Sequence, residues 1–110
     1  MNDHAERMRY RNPHQVTSPR DFLEVIEIIH DGGDKGASIA RINWEGNPAI
    51  GVRWNIARSE YEDESKKFGQ RECNGMPSCY GHPQWFVMPE ELLDRKSDTW
   101  KTLERTLQSQ

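Results

Sequence analysis

Hydrophobic and polar positions alternate with period two over two neighbouring stretches, residues 37–44 and 49–55. That period belongs to a strand with one buried face and one wet face. In the first stretch Ala40, Ile42 and Trp44 fall on one side, and Arg41 and Asn43 on the other. In the second, Ile50, Val52 and Trp54 oppose Gly51, Arg53 and Asn55. Glu45-Gly46-Asn47-Pro48 between them is a turn sequence, so a β-hairpin is expected. The apolar phase groups Trp44 and Trp54 with Ile42 and Val52, leaving Arg41 and Arg53 together on the wet face.

The segment Phe22–His30 supports two patterns. Phe22, Ile26 and Ile29 have helical spacing behind a possible cap at Ser18-Pro19-Arg20-Asp21. Val25, Ile26, Ile28 and Ile29 are β-branched, and Asp31-Gly32-Gly33-Asp34 closes the run with a turn. A strand is the preferred reading. Residues 59–84 form a long polar excursion with Gly69, Gly75, Pro77, Gly81 and Pro83, read as a loop. Trp85-Phe86-Val87-Met88 then makes a short strand, and Pro89-Glu90-Glu91 opens a helix with proline and acids in its first turn. Leu92, Leu93, Trp100, Leu103 and Leu107 form the helix's apolar stripe, with a possible break at Ser97-Asp98. Residues 1–20 lack periodicity and read as a flexible arm. The expectation is an α+β domain over residues 21–110: a twisted four-stranded antiparallel sheet followed by a C-terminal helix.

Only 34% of the 110 residues are apolar and 30% are charged, which implies a thin core. Small domains with thin cores recover stability by pairing, so a homodimer is expected. No apolar run reaches the roughly 18–20 residues that span a bilayer, and residues 1–20 lack the apolar stretch of a signal peptide. With Cys73 and Cys79 too few for a disulfide framework, a cytoplasmic location without membrane attachment is expected.

The remaining candidates for chemistry are few. Cys73, Cys79 and His82 supply three potential zinc ligands, but a structural site wants four and commonly a closer cysteine pair. Two reduced thiols in a loop is the preferred reading, with no metal or cofactor. Glu60, Glu62, Asp63 and Glu64 lack the pattern of a calcium loop, and neither a phosphate-binding glycine loop nor a nucleophile elbow is present. No catalytic group is expected. Trp44, Trp54 and Trp85 lie in or beside strands, with Arg41, Arg53, Arg58, Lys66, Lys67 and Arg71 near them in sequence. Such pairings bind single-stranded nucleic acid, the bases stacking on rings while cations follow the phosphates. The tryptophans can equally fill the core. The net charge of −3 opposes a generic nucleic-acid binder, although Arg7, Arg9, Arg11 and Arg20 outnumber the acids of the first twenty residues.

Ser38-Ile39-Ala40-Arg41-Ile42-Asn43-Trp44 and Ile50-Gly51-Val52-Arg53-Trp54-Asn55, in a four-strands-then-helix order, resemble the positive cofactor four family of transcriptional coactivators, particularly its bacterial branch. Val52-Arg53-Trp54 matches the family's hydrophobic–Arg–aromatic step in the third strand. Lys66-Lys67-Phe68-Gly69-Gln70-Arg71 matches its basic approach to the fourth strand. Phe86-Val87-Met88-Pro89-Glu90-Glu91-Leu92 matches its acidic, proline-containing turn into the helix. The resemblance covers residues 22–107, with the loop before the last strand enlarged by residues 72–84. It implies a curved sheet that binds single-stranded DNA along its ridges and a dimer formed chiefly through the helix; the partner expected for this chain is single-stranded DNA or RNA. Carried onto this chain, Arg41 and Arg53 contact phosphates with help from Lys66, Lys67 and Arg71. Trp54 or Trp85 offers a stacking surface, and Leu93, Trp100, Leu103 and Leu107 line the dimer interface. The alternative is a protein-interaction module of the same fold, using the acidic loop and the Met76–Trp85 segment.

Overall fold

The structure, a computed structural model, describes residues 7–108. Strands β1 (Leu23–Asp31), β2 (Ala37–Trp44) and β3 (Asn47–Trp54) are followed by a short helix α1 (Glu64–Lys67). Next come β4 (Ser78–Cys79), β5 (His82–Pro83), β6 (Phe86–Val87), α2 (Glu90–Leu93) and α3 (Asp98–Gln108). Four strands form one antiparallel sheet in the order β1-β2-β3-β6, and β4 and β5 form a separate two-stranded hairpin. The α+β class, the four-stranded antiparallel sheet and the C-terminal helix are as the sequence predicts.

The Phe22–His30 segment is strand from Leu23 onward, with two irregularities. The pairing of β1 with β2 skips between Val25 and Glu27 and between Ile28 and His30. Each skip is a bulge, which inserts an unpaired residue and bends an edge strand. Ile26 and Ile29 are the inserted residues, and both are exposed.

The β2–β3 turn is tighter than expected. Glu45 and Gly46 alone form it, both with positive φ (51° and 84°), and Trp44 pairs directly with Asn47. A two-residue connection of this kind suits the twist of flanking strands. It also sets the phase of β3. Ala40 lies opposite Gly51, Ile42 opposite Ala49 and Ser38 opposite Arg53. Opposed residues share a face, so the face that buries Ala40 and Ile42 also buries Gly51 and Arg53. Ile50, Val52 and Trp54 point to the other side, against the expectation from their apolar alternation.

Gly51 makes room for this arrangement. A Cβ there would stand 3.1 Å from the Trp85 ring and 3.2 Å from Ile42. Trp85 instead fills the space and joins Val16, Leu23, Val25, Ala40 and Ile42 in the core, flanked by Ile28, Trp44 and Ala49.

Residues 7–20 are not a free arm. The Cys73 backbone N–H donates to the Arg9 carbonyl at 2.7 Å and the Arg7 N–H to the Lys67 carbonyl at 2.9 Å. Val16 is fully buried, and its carbonyl accepts from the Trp85 indole N–H at 2.8 Å. The thin core recruits this segment as a lid over Trp85. The first six residues of the expected arm lie outside the described residues.

The C-terminal helix does break at the expected place. Ser97 caps α3, its Oγ accepting from the Trp100 N–H at 3.0 Å. Leu93, Leu103 and Leu107 are 49%, 36% and 59% exposed, and no residue of α2 or α3 is buried. Trp100 is half-buried, with the Arg95 guanidinium 5.9 Å from its ring centre. Among the described residues, no helix is long and apolar enough to cross a membrane.

Candidate nucleic-acid interface on the outer sheet face

The long loop after β3 is ordered around one buried carboxylate. Glu60 sits in a 3₁₀ turn (Arg58–Glu62) and is 6% exposed. It accepts from the backbone N–H groups of Ala57 at 2.9 Å, Asn74 at 2.8 Å and Gly75 at 2.8 Å, and from Lys66 Nζ at 2.6 Å. Burial by itself raises this carboxyl's pKa. The hydrogen bonds from Lys66 and the three N–H groups outweigh it and hold the pKa below 4.5. Gly75, at φ 71°, passes so close to the Trp54 carbonyl that a Cβ would lie 2.2 Å from it.

Arg53 closes the loop from beneath. It is 3% exposed, and its guanidinium donates to the carbonyls of Asn74 and Gln84, the two ends of the excursion that carries β4 and β5. Its carbon Cζ stands 6.0 Å from the Trp85 ring centre. Burial lowers its pKa to about 10, against the opposing effect of Glu60. The cation remains protonated at neutral pH.

These contacts redistribute the predicted interface. Arg53 is a buried tie and offers nothing to a phosphate in solution. Lys66 is committed to Glu60, its side chain 12% exposed. Trp85 is a core residue, 6% exposed, and its ring face is not available for stacking. Lys67 lies 6.0 Å from the Phe68 ring centre, and Arg71 lies 4.0 Å from Asp63. Arg41 stays on the outer face, 4.0 Å from Glu27. Trp54 is 51% exposed and is the predicted residue best placed to receive a ring.

Around Trp54 the structure gathers Arg58 and Met76, both singled out in the sequence, together with Lys35, Ile56 and Tyr61, which no sequence signal assigned to a site. Trp54, Tyr61, Met76, Ile56, Lys35 and Arg58 line a pocket of about 270 Å³. Tyr61 is held there by its hydroxyl, which donates to the Asp34 carbonyl at 3.1 Å. Lys35 and Arg58 are exposed, and neither forms an ion pair with a described residue. Phe86, 49% exposed, pairs with Val52 and so shares the face of Trp54 on the adjacent strand. Lys35 lies in the β1–β2 turn and Tyr61 in the loop, and no sequence periodicity links either to β3.

Cys73, Cys79 and His82 do not converge. Cys73 is fully buried and bridges to Tyr10, whereas Cys79 and His82 pair with each other on the exposed β4–β5 hairpin. Burial first, and then Glu60, pushes the Cys73 thiol up to about 11, so it is protonated and a poor nucleophile at neutral pH. Among the described residues no group of three or more His, Cys, Asp or Glu is placed to hold a metal ion.

Comparison with protein-family models, curated proteins and solved structures finds no match in any of the three. A fold hosts many functions, so function resides in the site itself.

Proposed function

We propose that the outer face of the sheet binds single-stranded nucleic acid, as the resemblance to the positive cofactor four family implies, with Trp54 at its centre. The observation that carries this reading is the pair of half-exposed rings, Trp54 and Phe86, on one face of adjacent strands, beside Lys35 and Arg58, cations with no ion pair to a described residue. Bases stack on such rings at about 1–3 kcal/mol each, whatever their identity. Lys35, Arg58 and Arg41 supply the phosphate contacts. The binding unit is a homodimer formed through the exposed leucines of α2 and α3.

Fluorescence anisotropy of a labelled single-stranded oligonucleotide tests the reading. Trp54→Ala is expected to weaken binding about 5- to 150-fold, the equivalent of one lost stacking contact. The slope of log affinity against log salt should be near −2, as about three phosphate contacts give. Unchanged affinity in Trp54→Ala would reject the site.

A protein partner is the second reading, and a specific observation favours it. Ile39, Val52 and Phe86 lie opposite one another across β2, β3 and β6, making an apolar row with Ile50 alongside. If no oligonucleotide binds even at low salt, while a protein is retained from nuclease-treated lysate and released by Val52→Glu, this reading replaces the first.

A further inference from the structure

A second cleft, of about 470 Å³, shares no residue with the Trp54 pocket. It lies between the N-terminal segment and the β4–β5 hairpin, lined by Arg11, Gln15, Thr17, Ser18, Arg20 and His82, with Pro83. The side chains of these six residues bring two guanidinium groups, two hydroxyls, an amide and an imidazole. Among the described residues, no carboxylate lines the cleft. Glu72 approaches Arg11 Nε from outside it at 3.3 Å, yet that buried Nε makes no hydrogen bond. The carboxylate is near enough to attract the cation but is not in line with its N–H.

The walls are held from both sides. Val16, between Gln15 and Thr17, is fully buried and hydrogen-bonded to Trp85. The Cys73–Arg9 hydrogen bond fixes the chain just before Arg11. On the other side Pro83 is buried, and the Gln84 N–H donates to the Pro77 carbonyl at 2.9 Å. The donors therefore meet in a site whose backbone does not have to reorganise.

The geometry points to a binding cleft for a phosphate group. Guanidinium groups match phosphate oxygens in charge and in fork geometry, and hydroxyl and amide donors complete a tetrahedral oxyanion's shell. The open volume leaves space for what the phosphate is attached to. This assignment does not rest on the outer sheet face.

Amide NMR of the full chain, titrated with inorganic phosphate and with chloride at equal ionic strength, tests it. Saturable shifts at residues 15–18 and 81–82 with phosphate and not with chloride are expected. Arg20→Gln, at an exposed position, should weaken phosphate binding about tenfold and Thr17→Ala by less, while Trp54→Ala leaves it unchanged. Adenosine monophosphate against adenosine, and 5′-phosphorylated against 5′-hydroxyl oligonucleotide, then separate a free nucleotide from a strand end as the source. Equal shifts with chloride, shifts confined to other residues, or full affinity in Arg20→Gln would overturn the assignment.

Discussion

Glu60 and Lys66 form an ion pair with little access to water, at 7% and 12% side-chain exposure. Removing one partner of such a pair leaves the other buried and uncompensated, which typically costs about 3–5 kcal/mol. Glu60→Gln keeps the shape but removes the charge opposite Lys66, so the unfolding free energy from urea denaturation should fall by an amount in that range. The pH dependence has a definite sign. Glu60's folded pKa lies below 4.5, so the unfolded chain binds this proton more readily than the folded one. Its contribution is complete above about pH 4.5 and is lost as the pH falls through the lower folded value. Acid unfolding followed by tryptophan fluorescence should show this loss in the parent chain, and Glu60→Gln should be flatter over the same window. A parallel profile in the two proteins would place the acid sensitivity elsewhere. Arg53 belongs to the same residue scale: sequence alternation set it on the wet face, and the folded chain uses it to hold two carbonyls together.

At the scale of the element, β1 shows why residues 22–30 read two ways. Its core-facing positions, Leu23, Val25 and Ile28, are spaced by two and then by three, because a bulge takes up Ile26. A bulged strand thus imitates part of a helical period. β3 departs from its apolar alternation for a different reason. A two-residue turn forces even-numbered residues of β2 opposite odd-numbered residues of β3, so the apolar phases of the two strands cannot both face the core. The phase with Ala49 and Gly51 wins because small residues leave the volume that Trp85 occupies. Gly51→Ala is then a sensitive probe. With its Cβ 3.1 Å from the Trp85 ring, overpacking of about 1–3 kcal/mol is expected. It should appear as a lower thermal midpoint together with altered fluorescence of the native state. If instead Gly51→Ala stabilises the protein, the packing of Trp85 under β3 is wrong.

For the molecule as a whole, the balance of exposed apolar surface is the organising fact. Leu93, Leu103 and Leu107 stand out from a pair of helices none of whose residues is fully buried within the chain, and isolated helices as short as α3 are marginal in water. The proposed dimer covers that stripe. Sedimentation velocity should give a dimer for the parent chain and a monomer for Leu103→Glu combined with Leu107→Glu, with loss of helical signal in the variant. A monomeric parent at micromolar concentration would remove the helix stripe from the proposed function.

The sequence by itself determined the four sheet strands and the C-terminal helix in their order, though not α1 or the β4–β5 hairpin within residues 59–84, because period-two alternation, a turn tetrapeptide and a proline-acid helix start are local signals that each segment carries alone. It also placed the helix break at Ser97. Of the candidate interface, Arg41 was legible as an exposed cation of the sheet, whereas alternation set Trp54 on the core-facing side and only the family resemblance offered it for stacking. Tertiary structure decided the rest. Which face of β3 is buried follows from turn length and from the room that Gly51 leaves for Trp85. The fate of Arg53 and Lys66 follows from Glu60, whose need for donors in a dry site gathers residues 57, 66, 74 and 75. The N-terminal segment, polar and unperiodic, is ordered because the thin core lacks a cover and Val16 supplies one. Each of these outcomes depends on groups distant in sequence competing for the same small interior, and no local pattern records that competition.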